Sequence, residues 1–230
     1  MPKTNKVEHV FFDLDHTLWD FDKNSALTFD FIFKKHQVKT NLNDFLRFYE
    51  PINLKYWKLY RDEKVTKEDL RYSRLKETFD ALQFTVKDQV INQLSEDYIT
   101  YLSSFNNVFD GTFEILDYLK SKYKLHIITN GFKDAQNNKL KSSKLDHYFE
   151  TVTSAEAAGV KKPNPHIFNF ALNSAQAETQ NSIMIGDNYE ADILGALDIG
   201  LDAICFNYHK VEELPGIKFI NHLSDIKKYL

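Results

Sequence analysis

A single cysteine, Cys205, stands among 230 residues, so no internal disulfide can form and the cytoplasm is the expected compartment. It lies in the apolar run Asp202-Ala-Ile-Cys-Phe206 with no histidine or basic residue beside it, and reads as a buried structural thiol. An excess of one charge is also missing: 29 Lys and Arg face 33 Asp and Glu, a formal net charge of −4. Without a basic stripe the chain has no footprint for polymeric DNA or RNA, although a small phosphate ester remains open as a partner. No apolar run reaches the length of a bilayer span, so no membrane partner is expected. The opening Met1-Pro-Lys-Thr-Asn-Lys6 shows no apolar stretch followed by a cleavage site, and no leader is expected. Glycine is absent from Trp19 to Phe105, where proline occurs once, at Pro51.

What is present is enough apolar matter, 43% of residues, for one good core and a smaller second domain. Short apolar runs flanked by turn signals predict buried strands at 7–12, 125–129, 151–154, 183–185 and 203–206, with a weaker one at 218–220. Helical stripes lie between them: Phe113, Leu116, Leu119 and, across a turn, Tyr123; Ile167, Phe168, Ala171 and Leu172; Ile193, Leu194 and Leu197. Strands alternating with helices imply βαβ units and a mostly parallel sheet covered on both faces.

The glycine-free stretch breaks that alternation. Helical spacing recurs at Ala26, Phe29 and Phe33; Phe45, Phe48 and Tyr49; Tyr56, Trp57 and Tyr60; Val90, Ile91 and Leu94; Tyr98 and Leu102. It predicts an all-α insertion of four or five helices over 19–105, between the first strand and the rest of the sheet. The turn Asn106-Asn-Val-Phe-Asp-Gly111 returns the chain to a core made of 1–18 and 106–230.

In a parallel α/β sheet, ligands bind beyond the carboxyl ends of the strands. The segments leaving those ends are Asp13-Leu-Asp-His-Thr17, Thr129-Asn-Gly131, Lys161-Lys-Pro163 and Gly186-Asp-Asn-Tyr-Glu-Ala-Asp192. Each alone is ordinary: Asp13 and Asp15 can end a strand and cap a turn with Thr17, and Asp192 can complement a helix dipole. Their order on successive strand ends of one sheet carries the inference.

The roles fit together chemically. Asp13 and Asp187 crowd negative charge unless a hard cation sits between them, and Mg²⁺ takes carboxylates, waters and a phosphate oxygen. Thr129 and the backbone amides of Asn130 and Gly131 offer hydrogen bonds to a phosphoryl group. Lys162 adds the balancing positive charge. Asp15, two residues from Asp13, reaches the leaving-group oxygen, and a carboxylate cluster raises the pKa of one member, which then serves as general acid. Attack by Asp13 splits one difficult displacement into two.

These residues closely resemble the haloacid dehalogenase-like hydrolase superfamily over nearly the whole chain outside the helical insertion. The family pattern of DxDxT, a second-strand Ser or Thr, Lys before Pro, and GDxxxxD stands here as Asp13-Leu-Asp15-His-Thr17, Thr129, Lys162, and Gly186-Asp187 with Asp192. The resemblance implies an α/β fold, a Rossmann-like parallel sheet core with an inserted all-α cap domain. It implies Asp13 as nucleophile, Asp15 as acid/base, Mg²⁺ on Asp13, the Asp15 carbonyl and Asp187, and Asp192 supporting Lys162 or a metal-bound water. Asp15 argues for phosphate esters, since dehalogenases lack the second aspartate and phosphonoacetaldehyde hydrolases replace it with a small residue. Helices between the first and second motifs resemble the family's mobile cap over small substrates, and the interval from Thr129 to Lys162 is too short for the other cap position.

More narrowly, Phe11-Phe-Asp-Leu-Asp-His-Thr-Leu-Trp-Asp-Phe-Asp22, Ile127-Ile-Thr-Asn-Gly-Phe132 and Ser154-Ala-Glu-Ala-Ala-Gly-Val-Lys-Lys-Pro163 resemble the bacterial pyrimidine 5′-nucleotidase branch, which implies a nucleoside monophosphate as substrate. Asn24, Asn53, Trp57, Arg71 and Arg74 offer the insertion's stacking and hydrogen-bonding groups for a nucleobase. Against this, an aromatic at helical spacing ordinarily packs a bundle core and an arginine ordinarily sits on a solvated face. A sugar-phosphate phosphatase, a phosphoglucomutase-like phosphotransferase and a non-catalytic binding module are the alternatives. The oligomeric state is left open.

Overall fold

The first apolar run forms β1, His9–Phe12, buried along its whole length. The structure, a computed structural model, describes residues 6–230, so residues 1–5 of the segment expected to carry no leader lie outside the described residues. All six predicted runs form strands, the others being β2 Lys124–Thr129, β3 Thr151–Ser154, β4 Ser182–Gly186, β5 Asp202–Phe206 and β6 Lys218–Ile220. They make one sheet in the order β3-β2-β1-β4-β5-β6, and every pairing is parallel. Near-continuous apolar runs suit this, because strands covered on both faces leave no solvated side for polar residues.

The register sets the chemistry. Phe12 of β1 lies opposite Ile127 of β2 and Ile185 of β4, and the Asp13 amide extends the ladder by donating to Ile185 O at 2.9 Å. The chain winds from β1 through β2 to β3 on one side, then resumes at β4 on the other side of β1. Strand order therefore reverses between β1 and β4, the crevice where α/β sheets hold ligands.

Two compact units form, one from the residues up to Asp20 with Asn106–Leu230, the other from Phe21–Phe105. The helical unit thus starts at Phe21, later than the expected Trp19. Trp19 is fully buried, bridges to Asp15 and Val108, and its indole N–H donates to Ser143 Oγ at 3.1 Å. Those contacts tie it to the sheet unit.

The helical unit contains α1 Phe21–Lys35, α2 Leu42–Arg61, α3 Lys67–Ala81 and α4 Asp88–Leu102. Asn41 caps α2 by accepting from the Asp44 amide, and Thr66 with Asp69 closes a capping box on α3, satisfying donors that a helix start leaves open. Pro51 lies inside α2 without ending it. The core is aromatic: the Phe29 ring centre lies 4.8 Å from Phe45, 4.6 Å from Tyr49 and 4.7 Å from Tyr98.

The sheet unit adds α5 Thr112–Lys120, α6 Lys133–Ser142, α7 Ala155–Ala158, α8 Pro165–Ala175 and α9 Gly195–Asp198. Phe11, Ile128, Ile167, Phe168 and Met184 belong to one core cluster on the sheet. Two expected stripes are shifted. In α5 the buried face is Thr112, Ile115, Leu116 and Leu119, leaving Phe113 exposed; the Thr112 hydroxyl turns that face inward by donating to Leu18 O. Leu194 and Leu197 are also exposed, because Tyr189–Leu194 is a π-helical turn, which rotates side chains out of an α-helical phase.

Across the sheet, His9 Nδ1 lies 3.0 Å from His126 Nε2, and His126 Nδ1 lies 2.9 Å from Thr151 Oγ1. Burial, with the charges of His9 and Lys124, pushes the His126 pKa down from 6.5 to about 4. Between those values the unfolded chain takes a proton that the folded chain refuses. Stability is therefore expected to fall as the pH drops from about 6.5 to about 4, with His126 contributing up to ~3 kcal/mol. Urea unfolding of the wild type and of His126→Gln at several pH values checks this, the variant showing the shallower decline.

Candidate active site

The β1 and β4 strand ends place Asp13 and Asp187 in the crevice, 8% and 6% exposed. Lys162, 2% exposed, reaches Asp13 Oδ1 at 2.6 Å and Ile128 O at 2.8 Å, and its ammonium also stands 2.6 Å from Asp192 Oδ1. Two hydrogen bonds hold the lysine backbone: the Asn130 side chain accepts from Lys162 N at 2.7 Å and donates to Lys162 O at 3.0 Å. The second-strand loop thereby fixes a lysine 32 residues further along the chain.

Asp192 is anchored by the π turn. Asn188 Oδ1 accepts from the Ala191 amide, and Asp192 Oδ2 accepts from the Asn188 amide at 3.0 Å. Gly186 gives that carboxylate room, since a Cβ there would meet Asp192 Oδ2 at 2.3 Å. Thr17 donates to Asp187 Oδ1 at 3.0 Å, so the strand-end turn is tied to β4.

Ligand oxygens of Asp13, Asp187 and Asp192 lie within 4.8 Å of one another, all three residues buried. Burial pushes the Asp13 carboxyl well above the ordinary range; Asp192 and Asp187 add to this and Lys162 opposes it. Burial likewise raises Asp192, against the pull of Lys162. Lys162 would be lowered by burial, but Asp13 and Asp192 outweigh that and raise it. For Asp187, burial is outweighed by the His209 hydrogen bond, the charges of His16 and His209, and the Thr17 hydrogen bond, which together hold it low. Asp13 and Asp192 share Lys162 and Asp187 lies beside them, a cluster of carboxylate oxygens that fits a hard divalent cation such as Mg²⁺.

Asp15 belongs to a different network. Lys139 Nζ contacts both its oxygens, at 2.6 and 2.9 Å, and Gln136 Nε2 donates to Oδ2 at 2.9 Å. The same Gln136 nitrogen donates to Thr129 Oγ1 at 2.7 Å. The Asp15 carboxylate is thus absent from the three-carboxylate cluster, so the crowding expected to make it the proton-bearing member acts on Asp13 and Asp192 instead, and its carbonyl is left as the oxygen expected to face a metal. The Gly131 amide is occupied as well, donating to Thr129 Oγ1 at 3.1 Å, and α6 begins only at Lys133. Thr129 Oγ1 thus accepts from both Gln136 and the Gly131 amide, which commits one of the two amides expected to bind phosphate.

Cys205 is fully buried, and burial, with Asp187 and Asp192 nearby, pushes its thiol up to about 12. It stays protonated, as a structural thiol does.

The base-contact residues expected on the helical unit are mostly committed to packing. Arg74, 2% exposed, donates to Asn53 Oδ1 at 2.8 Å and lies over the Tyr98 ring at 4.9 Å; it is not on a solvated face. Asn24 is fully buried, its carbonyl accepting from Thr28 Oγ1. Trp57 and Arg71 are half-buried, Trp57 lying edge-on to Tyr60.

Sequence reasoning missed Gln136, Lys139 and His209, and quoted His16 without a role. Gln136, Lys139 and Ser143 recur at i, i+3 and i+7 and are all buried, a polar stripe on a helix that must bury one face. His209 leaves the carboxyl end of β5, so the strand-end rule reaches it too. Its Nε2 stands 2.9 Å from Asp187 Oδ2.

Known proteins resemble this chain over most of its length. Residues 10–206 match the family model described as haloacid dehalogenase-like hydrolase. The pyrimidine 5′-nucleotidase YjjG of Escherichia coli is 30% identical over 92% of this chain and 91% of its own. The glyceraldehyde 3-phosphate phosphatase of Methanothermobacter thermautotrophicus is 31% identical over 97% of this chain and 100% of its own. The crystal structure of the HAD-hydrolase YfnB of Bacillus subtilis bound to magnesium superposes with a TM-score of 0.87 at 25% identity, covering 98% of this chain and 99% of that one.

Proposed function

The chain belongs to the haloacid dehalogenase-like hydrolase family, and from that premise we propose a Mg²⁺-dependent phosphomonoesterase that works through an aspartyl phosphate on Asp13 and takes a nucleoside 5′-monophosphate. The observation that carries the chemistry is the separation of two aspartates only two residues apart. Asp13 faces Lys162 and a carboxylate cluster, while Asp15 is held by Lys139 and Gln136. Residues in such different surroundings suit different tasks, one as nucleophile and one as acid/base.

In this reading a carboxylate oxygen of Asp13 forms a bond to phosphorus as the bond from phosphorus to the ester oxygen breaks. Asp15 gives its proton to the departing alcohol. The Asp15 carboxylate then takes a proton from water, which attacks phosphorus and frees Asp13 with release of phosphate. Lys139 fixes the Asp15 carboxylate, and Thr129 and Lys162 hold phosphoryl oxygens. Bound Mg²⁺, held by Asp13, Asp187 and the Asp15 carbonyl, would neutralise charge on the transferring group.

The nucleotide reading is supported by the likeness to YjjG across nearly the whole chain. The comparable likeness to a glyceraldehyde 3-phosphate phosphatase favours a small sugar phosphate as the second reading. A phosphate-release screen of pyrimidine and purine nucleotides and sugar phosphates decides between them. Turnover should require Mg²⁺, vanish with EDTA and be fastest on a nucleotide. Sugar phosphates ahead of every nucleotide would remove the substrate assignment, and isomerisation of a hexose 1-phosphate without free phosphate would remove the hydrolase.

A further inference from the structure

Asp187 has a second set of neighbours that the phosphatase reading does not use. One donor atom each from His16, Asp187 and His209 lies within 4.8 Å of the other two. Asp187 divides its oxygens: Oδ1 accepts from Thr17, and Oδ2 faces His209 Nε2 at 2.9 Å. The His16 ring stacks on Tyr208 at 5.0 Å and tilts against His209 at 5.3 Å. His16 is carried on a left-handed backbone, φ 60°, and its amide donates to Trp19 O. A non-glycine residue in that region is uncommon and is often found where a side chain has a task.

Two imidazoles and one carboxylate form a donor set that Mg²⁺ does not seek, since it prefers oxygen ligands and keeps much of its water. Borderline divalent ions do take imidazole, and three protein ligands leave an open fourth position. We propose that His16, Asp187 and His209 form a second cation site, selective for a transition ion of the Zn²⁺, Co²⁺ and Ni²⁺ class, that competes with Mg²⁺ for Asp187. The competition rests on the reading of Asp187 as a Mg²⁺ ligand; the two-histidine site does not. A trace transition ion would then act as an inhibitor that excess Mg²⁺ reverses.

Co²⁺ is the probe, followed by its visible absorption and by titration calorimetry on the full chain. The wild type should bind one Co²⁺ with an intense low-symmetry spectrum, and excess Mg²⁺ should weaken that binding. His209→Gln, and His16→Asn chosen because asparagine tolerates left-handed backbone, should each weaken Co²⁺ by at least about tenfold, the scale of losing one ligand contact. His147→Gln, at an exposed position, is the control and should change nothing. Co²⁺ binding that ignores both site substitutions would overturn the site and leave His209 as a simple ion-pair partner of Asp187. Histidine-dependent binding that Mg²⁺ cannot weaken would overturn the competition. No readout involves turnover, so failure of the phosphatase assignment would be seen separately, in the ester screen.

Discussion

Asp13→Asn is expected to lower phosphate release by at least ~10⁴-fold, about 5 kcal/mol of transition-state stabilisation, while the metal-free protein loses no thermal stability. The two halves of this result have one source. Asp13 is the proposed nucleophile, and an amide oxygen in its place cannot form the aspartyl phosphate. It is also one of two buried carboxylates that share Lys162, with the Asp187 carboxylate close by. Burial already disfavours its charge, so a neutral isostere relieves repulsion as it loses one contact to Lys162. Single-turnover assays with Mg²⁺ and a thermal melt in EDTA measure both. Retention of more than a small fraction of wild-type Mg²⁺-dependent turnover would rule out the covalent route.

Lys162→Met is expected to fail in both respects. The ammonium is the cation contacting Asp13 and Asp192 together, and it also satisfies Ile128 O. Removing it leaves buried carboxylates facing one another, and breaking such a pair from one side costs about 3 kcal/mol or more. At this chain length that corresponds to a fall in Tm of roughly 6–12 °C. Turnover should fall as well, since the same charge is proposed to hold the phosphoryl group. The double variant Lys162→Met with Asp192→Asn separates the two effects: removing one of the stranded charges should return much of the stability and none of the activity. A single variant as stable as wild type would mean the carboxylates are compensated elsewhere.

These opposite expectations for two residues in direct contact show what the sequence could and could not supply. Asp13, Lys162, Asp187 and Asp192 were legible because each leaves a strand end, and a parallel sheet gathers its strand ends at one edge. The six strands were legible because runs buried on both faces are apolar throughout. The shifted faces were less so. Phe113 looks like core until the Thr112 hydroxyl finds Leu18 O, and Leu194 and Leu197 keep an α phase only on paper, because a π turn precedes them. Arg74 is expected to contact a base or to sit on a solvated face, and its hydrogen bond to Asn53 and cation–π contact with Tyr98 hold it buried instead.

The sequence by itself determined the sheet, the helical insertion and the family, all of which follow from periodicity and from short motifs whose members are close along the chain. Only the tertiary structure decided which charges meet. It turned Asp15 away from the carboxylate cluster to Lys139, 124 residues later; it spent the Gly131 amide on Thr129; and it brought His209 to Asp187. The physical reason is the range of the interactions. Burial and periodicity are written into neighbouring residues, whereas an ion pair depends on where strands far apart in the chain end, and no local pattern records that.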